Sequence, residues 1–276
     1  MIAWSNYAAR GTVGTWGDSM PKPAQTACLI LAVMLVTAAC EEDTSSDCNK
    51  GVFTGHVTIA DDSEPASYEG YTQITGNLTI SCPNCETLEA LSCLASVGGD
   101  LAVSTNGSLE ALDVGRLVHV GGSLYAQQNP SLADLDLRSL RVVGSWLTIR
   151  DNAALSAIHS GALNTIGGDV AISDNGALTT VELGSLWKVP GSLAVTGNGA
   201  LADLDGLAGL LFLEGGLTVS SNGALPFCET CELLDQLQGF AGEVSCSSNL
   251  VDECWSGTAL DCPPPAGDGA ILDPEG

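Results

Sequence analysis

The chain has 276 residues and is strongly acidic, with 33 Asp plus Glu against 8 Lys plus Arg and a formal charge of -25. Phosphate backbones and anionic headgroups are held by basic residues that displace counterions, so nucleic acid and anionic lipid are poor partners for this surface. Only 4 Phe and 4 Tyr accompany 33 Gly, which argues against a globule packed on aromatic rings and suits small branched side chains in repeated layers.

Residues 1-19 carry no export logic, and translation is expected to start at Met20. From there MPKPAQTACLILAVMLVTAAC has Lys22, an apolar stretch from Cys28 to Val36, and Ala38-Ala39 before Cys40. That order is a secretion signal, and the apolar stretch is about half of the ~20 residues a spanning helix requires. T-A-A-C resembles the lipobox of bacterial lipoproteins, with Thr37 where Leu is usual. The resemblance implies that Cys40 is lipidated and becomes the mature N-terminus. Residues 1-39 are therefore expected to be removed, and residues 40-50 to form a lipidated linker.

Residues 51-254 form the structured domain. Asn106, Asn129, Asn152, Asn175 and Asn198 recur every 23 residues, and Asn222 follows after 24. The rung from Gly98 reads GGDLAVSTNGSLEALDVGRLVHV, and that from Gly167 reads GGDVAISDNGALTTVELGSLWKV. A repeat of this length marks a solenoid. Five and three residues before each Asn lie apolar residues, such as Leu101 and Val103, a period of two that predicts a strand with one face inward. Leucines three residues after the Asn (Leu109 to Leu225) make a further ladder. Two more begin at Leu117 and Val120, so about five side chains per coil are predicted to share one core. The Asn column is assigned to scaffold: an amide offers donor and acceptor, and can bond the turn backbone of its own and the next coil.

Val57 and Ile59, then Leu78 and Ile80, extend the array upstream. Downstream, Pro226 to Gly239 reads as an amphipathic capping helix with Leu233, Leu234 and Leu237 on one side and a terminating Gly. A final strand from Gly242 places Val244 and Cys246 inward. About nine rungs result, roughly 38 Å of sheet at strand spacing. Residues 255-276, with Pro263 to Pro265, read as a flexible tail.

No cysteine lies between Cys93 and Cys228. Cysteines confined to the two ends of a secreted repeat array are expected to close those ends as disulfides. Cys82-Pro-Asn-Cys85 and Cys228-Glu-Thr-Cys231 have zinc-site spacing, but lie about six rungs apart, on the order of 30 Å, too far for one ion. Cys48 is expected to pair with one of Cys82, Cys85 and Cys93, leaving the other two for each other. Cys246 is the candidate free thiol, with Cys228, Cys231, Cys254 and Cys262 left to pair.

G-x-L-x-I at the strand, N-x-x-L after it and Cys-closed ends resemble the receptor L domain over roughly residues 48-254. More specifically, the chain is similar to bacterial surface lipoproteins built from such modules. The resemblance implies a right-handed parallel β-solenoid that binds proteins through its sheet and edges, with no individual contact residue carried over.

Chemistry is sparse. His56, His119 and His159 occupy different rungs and positions, and no G-x-S-x-G elbow occurs. A solenoid lyase or hydrolase would need carboxylates and a basic residue gathered on adjacent rungs. The outward strand positions are mostly small, Arg150 beside Asp151 is the only tempting pair, and Asp134/Asp136 and Asp203/Asp205 are turn carboxylates. Catalysis, metal and cofactor are not expected. Tyr125 and Trp146, read as outward on successive strands with Gln127 and Arg150 beside them, are the candidate binding patch, because aromatic and Arg side chains anchor interfaces. The expectation is a lipid-anchored module of the outer membrane or cell surface, recognising a protein or glycan. A passive envelope-structural role is the alternative.

Overall fold

The computed structural model describes residues 48-112 and 114-250, which belong to one compact unit. The signal segment, Cys40, Cys254, Cys262 and the tail 255-276 lie outside the described residues.

Nine parallel strands, one per rung, stack in chain order as the longest sheet. They are Val57–Ile59, Leu78–Ile80, Leu101–Ser104, Leu124–Gln127, Leu147–Arg150, Val170–Ser173, Leu193–Thr196, Leu217–Ser220 and Val244–Ser247. The register stacks like on like: Leu101 faces Leu124, which faces Leu147, and the column continues through Val170, Leu193 and Leu217. A second side of the coil is a six-stranded sheet from Gly51–Phe53 to Thr165–Ile166, followed by the pair Lys188–Val189 and Phe212–Leu213. The third side is a four-stranded sheet of Ala111–Leu112, Asp134–Asp136, Ala157–His159 and Thr180–Glu182. This is the parallel β-solenoid that the repeat predicts.

The five expected apolar ladders are buried throughout, and two more join them: Leu112, Leu135, Ile158, Val181 and Leu204, then Val114, Leu137 and Leu183. The latter column contains one polar member, Ser160, fully buried with its hydroxyl unbonded. The 24-residue repeat places its extra length on the third side, where the 3-10 turn Asp205–Leu207 succeeds the four strands. Gly206 is required there because a Cβ would lie 1.5 Å from the Val181 carbonyl oxygen. Coils also meet backbone to backbone at the entry to the long sheet, where a Cβ on Gly144 would lie 2.0 Å from the Gly121 carbonyl oxygen.

Both ends are closed. Cys48 pairs with Cys93 and Cys82 with Cys85, one of the arrangements left open by the sequence. The Phe53 ring meets Tyr68 and Tyr71 edge-on beside them. At the far end the helix is shorter than expected, Phe227–Gln236, because Leu237 turns to extended backbone before Gly239 is reached. Leu233, Leu234 and Leu237 are buried as predicted. Gln236 Nε2 donates to the Leu207 carbonyl and the Leu204 N–H to Glu229 Oε2, docking the helix on the preceding coil. Cys246 is not the free thiol: it faces the core as expected but is disulfide-bonded, as is Cys228.

Candidate ligand-binding face

Seven of the nine strands of the long sheet, all but the first two, are followed by a left-handed residue that turns the next side chain inward. Thr105, Gln128, Asp151, Asp174, Ser221 and Ser248 all have φ between 57° and 60°, and Gly197 has 69°. The next residue is in every case the ladder Asn. Asn152 shows the pattern. Its Oδ1 accepts from the backbone N–H and side-chain amide of Asn129, both at 3.1 Å, and its Nδ2 donates to the Ala126 carbonyl at 3.0 Å. The amide thus serves the preceding coil rather than its own turn, because the inward turn aims it back along the stack. Asn106, Asn129, Asn152, Asn175, Asn198 and Asn222 are all fully buried. A seventh member, Asn249, was missed: the 10-residue helix lengthens its spacing to 27, and its Oδ1 accepts from Asn222 N–H at 3.0 Å. The ladder is scaffold, as assigned.

A second ladder lies six residues before each Asn, on the outer edge of the same sheet. His56 Nδ1 accepts the Asn77 N–H, Asn77 Oδ1 that of Asp100, and Asp100 Oδ1 that of Ser123. Ser123 Oγ accepts from Trp146, Asp169 Oδ1 from Ser192, and Ser192 Oγ from Gly216. One link is missing. An indole has no acceptor, so Trp146 offers nothing to the Asp169 N–H. Its ring instead lies over Gly168, where a Cβ would approach Trp146 Cδ1 to 2.5 Å, and it remains 51% exposed.

The position of Trp146 corrects the sequence expectation. It sits just before the strand Leu147–Arg150, and the lateral neighbour of Tyr125 is Thr148. Trp146 is therefore diagonal to Tyr125 on the same face, because the two differ by two residues in register. Tyr125, Gln127, Thr148, Arg150, Ala171 and Ser173 line an open, shallow depression over three adjacent strands. Arg150 Nε donates to Gln127 Oε1 at 3.0 Å, and Asp151 Oδ2 lies 3.8 Å from the same nitrogen. Small residues flank the patch, including Ala102 and Ser104 on one side and Ala194 and Thr196 on the other. Most other aromatics of the described residues gather toward the ends, Phe53, Tyr68 and Tyr71 at the first coils and Phe212, Phe227 and Phe240 at the last. Tyr125, Trp146 and Trp187 are the exceptions, and of these Tyr125 and Trp146 lie on the long sheet's face.

Two groupings escaped the sequence reading. On the four-stranded sheet His159 Nδ1 lies 3.0 Å from Glu182 Oε2 and its Nε2 3.7 Å from Asp134 Oδ1, since parallel register aligns Asp136, His159 and Glu182. Beside them the Arg138 guanidinium bonds Asp136 and holds that carboxyl below its usual range. Trp187, 52% exposed, meets Phe212 edge-on at 5.8 Å, and both line a recess with Lys188, Glu214 and Gln238. Its outward position was readable, since Leu186 before it belongs to an inward ladder. Among the described residues no group of three or more His, Cys, Asp or Glu is arranged to hold a metal ion. No protein-family model, curated protein or solved structure matches this chain.

Proposed function

We propose that this chain is a recognition module, exported and held at the cell surface by a lipid on Cys40, which binds a protein or glycan through the outward face of its long sheet. The observation that carries the proposal is the interrupted outer ladder. Trp146 stands where six other rungs place a hydrogen-bond acceptor, gives up that bond, and leaves half of a large apolar ring in water. Scaffolding alone favours the acceptor; an exposed Trp beside Tyr125 and Arg150 has the composition of a binding hot spot. The receptor L resemblance supports the same use of the sheet.

The test is Trp146→Asn, which restores an acceptor for the Asp169 N–H. Stability should be unchanged or raised, while capture of a partner from envelope extract is lost. A large fall in melting temperature with capture retained would make Trp146 structural and refute the proposal. No capture by either protein would favour a passive envelope role. Labelling cells with a lipid precursor, and comparing Cys40→Ala, tests the anchor: equal labelling of both proteins would rule out lipidation at Cys40.

A further inference from the structure

We infer that the occupant of this face is a carboxylate-bearing polysaccharide, lying along the stack with Arg150 on a carboxylate and Tyr125 against a sugar ring. This rests on the recognition reading and narrows it. The first observation is electrostatic. On a chain of formal charge -25, none of the nine strands of the long sheet contains an acidic residue, and Arg150 is their only charged one. Low strand propensity of acids does not account for this, because the equally parallel four-stranded sheet carries Asp134, Asp136 and Glu182. The nearest acid, Asp151, lies beside Nε. Among the described residues no protein group bonds the terminal Arg150 nitrogens, the pair whose planar geometry matches a carboxylate. Asp100 and Asp169 at the outer edge of this sheet each commit a carboxylate oxygen to a backbone N–H. They, exposed Asp174 after the neighbouring strand and the acids of the other sides act through solvent, which screens charge within about 8 Å at physiological ionic strength.

The second observation is repetition. Around the aromatic and Arg positions, the outward columns are hydroxyls and methyls, such as Thr148, Ser173 and Thr196, presented once per rung at about 4.8 Å. That spacing is comparable to one pyranose residue of an extended chain. A hydroxyl-rich, shallow surface with one aromatic platform suits a repeating polyol. A folded protein partner would instead need a closely packed apolar interface core, and these columns hold no large aliphatic side chain.

Polygalacturonate, alginate, dextran and dextran sulfate are the probes, titrated against the full chain, Arg150→Gln, Arg150→Lys and Tyr125→Ala, with circular dichroism confirming the fold of each. Polyuronates should bind and dextran should not. Arg150→Gln should weaken polyuronate binding by roughly tenfold or more, the scale of one charge-assisted hydrogen bond. Arg150→Lys should recover part of that loss, and added salt should weaken the wild type more than Arg150→Gln. Equal binding of dextran, a preference for dextran sulfate over both uronates, or polyuronate binding indifferent to Arg150→Gln would each overturn the inference. So would silence toward polyuronates while an envelope protein is captured and lost in Trp146→Asn; in that case recognition stands and the ligand class falls. If Arg150→Gln does not fold, Tyr125→Ala and the salt dependence carry the same decision.

Discussion

Replacing Asn152 by Ala tests the scaffold at its centre. The truncation removes two acceptor contacts and two donor contacts. Their consequences differ. Asn129 Nδ2 keeps its bond to the Val103 carbonyl, and Asn175 Oδ1 keeps the Asn152 N–H. Ala126 lies within a paired strand, so its carbonyl is a ladder group that loses only an additional bond. The Asn129 N–H has no other acceptor and lies in a fully buried residue. One orphaned buried donor costs about 1–3 kcal/mol, and the space left by the amide adds to it, so a loss of about 2–3 kcal/mol is expected. Asn249→Ala, at the half-buried end of the ladder, should cost only about 1 kcal/mol, since the partly exposed site it vacates admits water to replace its amide. Urea unfolding with disulfides intact and far-ultraviolet circular dichroism as readout measures both. Equal costs at the two positions, or a cost below about 0.5 kcal/mol at Asn152 with an unchanged m-value, would refute the assignment of the ladder to buried backbone satisfaction.

Three further outcomes follow from single positions. Gln128 has φ 58°; relief of that left-handed strain by Gln128→Gly, about 1–2 kcal/mol, exceeds the entropic cost of Gly, and thermal unfolding should show a net gain of about 0.5–1 kcal/mol. Ser160→Ala removes a buried hydroxyl with no partner, and denaturant unfolding should show a gain of about 1 kcal/mol; a loss would mean that the hydroxyl is satisfied by bound water. Asp136 is held below the usual carboxylate range first by its side-chain bond from Arg138. A depressed carboxyl contributes stability above its unfolded pKa of about 3.9 and loses it as pH falls through the folded value. In Arg138→Met, the Asp136 carboxyl followed by NMR should titrate closer to that ordinary value, and the variant's stability deficit should shrink only as pH falls through the wild-type folded value.

The inward half of the molecule was legible because stacking forces each column to repeat. Leu101, Leu124 and Leu147 share one environment, so one rung predicts the next. The two ladders at Leu112 and Val114 were harder to read, since their columns tolerate Ser160 and end where a 3-10 turn replaces a strand. The helix cap gave way at Leu237 because extended backbone there returns the chain to the sheet, which local helix signals do not encode. Asn249 repeats the local S-x-N pattern, yet a 27-residue spacing hid it from a search by period. The cluster of Asp134, His159 and Glu182 required the register of three strands 23 residues apart, visible only after the third side of the coil is known to be sheet.

The same physics explains why the candidate site could be found without any related protein. In a stacked coil, a column's shared identity is enforced by neighbours about 4.8 Å away, so a side chain that breaks its column lacks the support the others give one another. Small residues flank Gln127 and Arg150 in one column and Tyr125 in the next, and Trp146 interrupts a column of acceptors. Four departures from three column rules meet on adjacent rungs of one face. Stability alone gives no reason for them to coincide: the Trp146 exception gives up a hydrogen bond, and Arg150 introduces the sole charge of the sheet's strands. The outer ladder also separates the alternatives experimentally, because restoring its acceptor repairs the scaffold and removes the proposed contact in one substitution. A structural Trp would lower stability in Trp146→Asn and leave capture intact, whereas a binding Trp leaves stability unchanged or raised and loses capture.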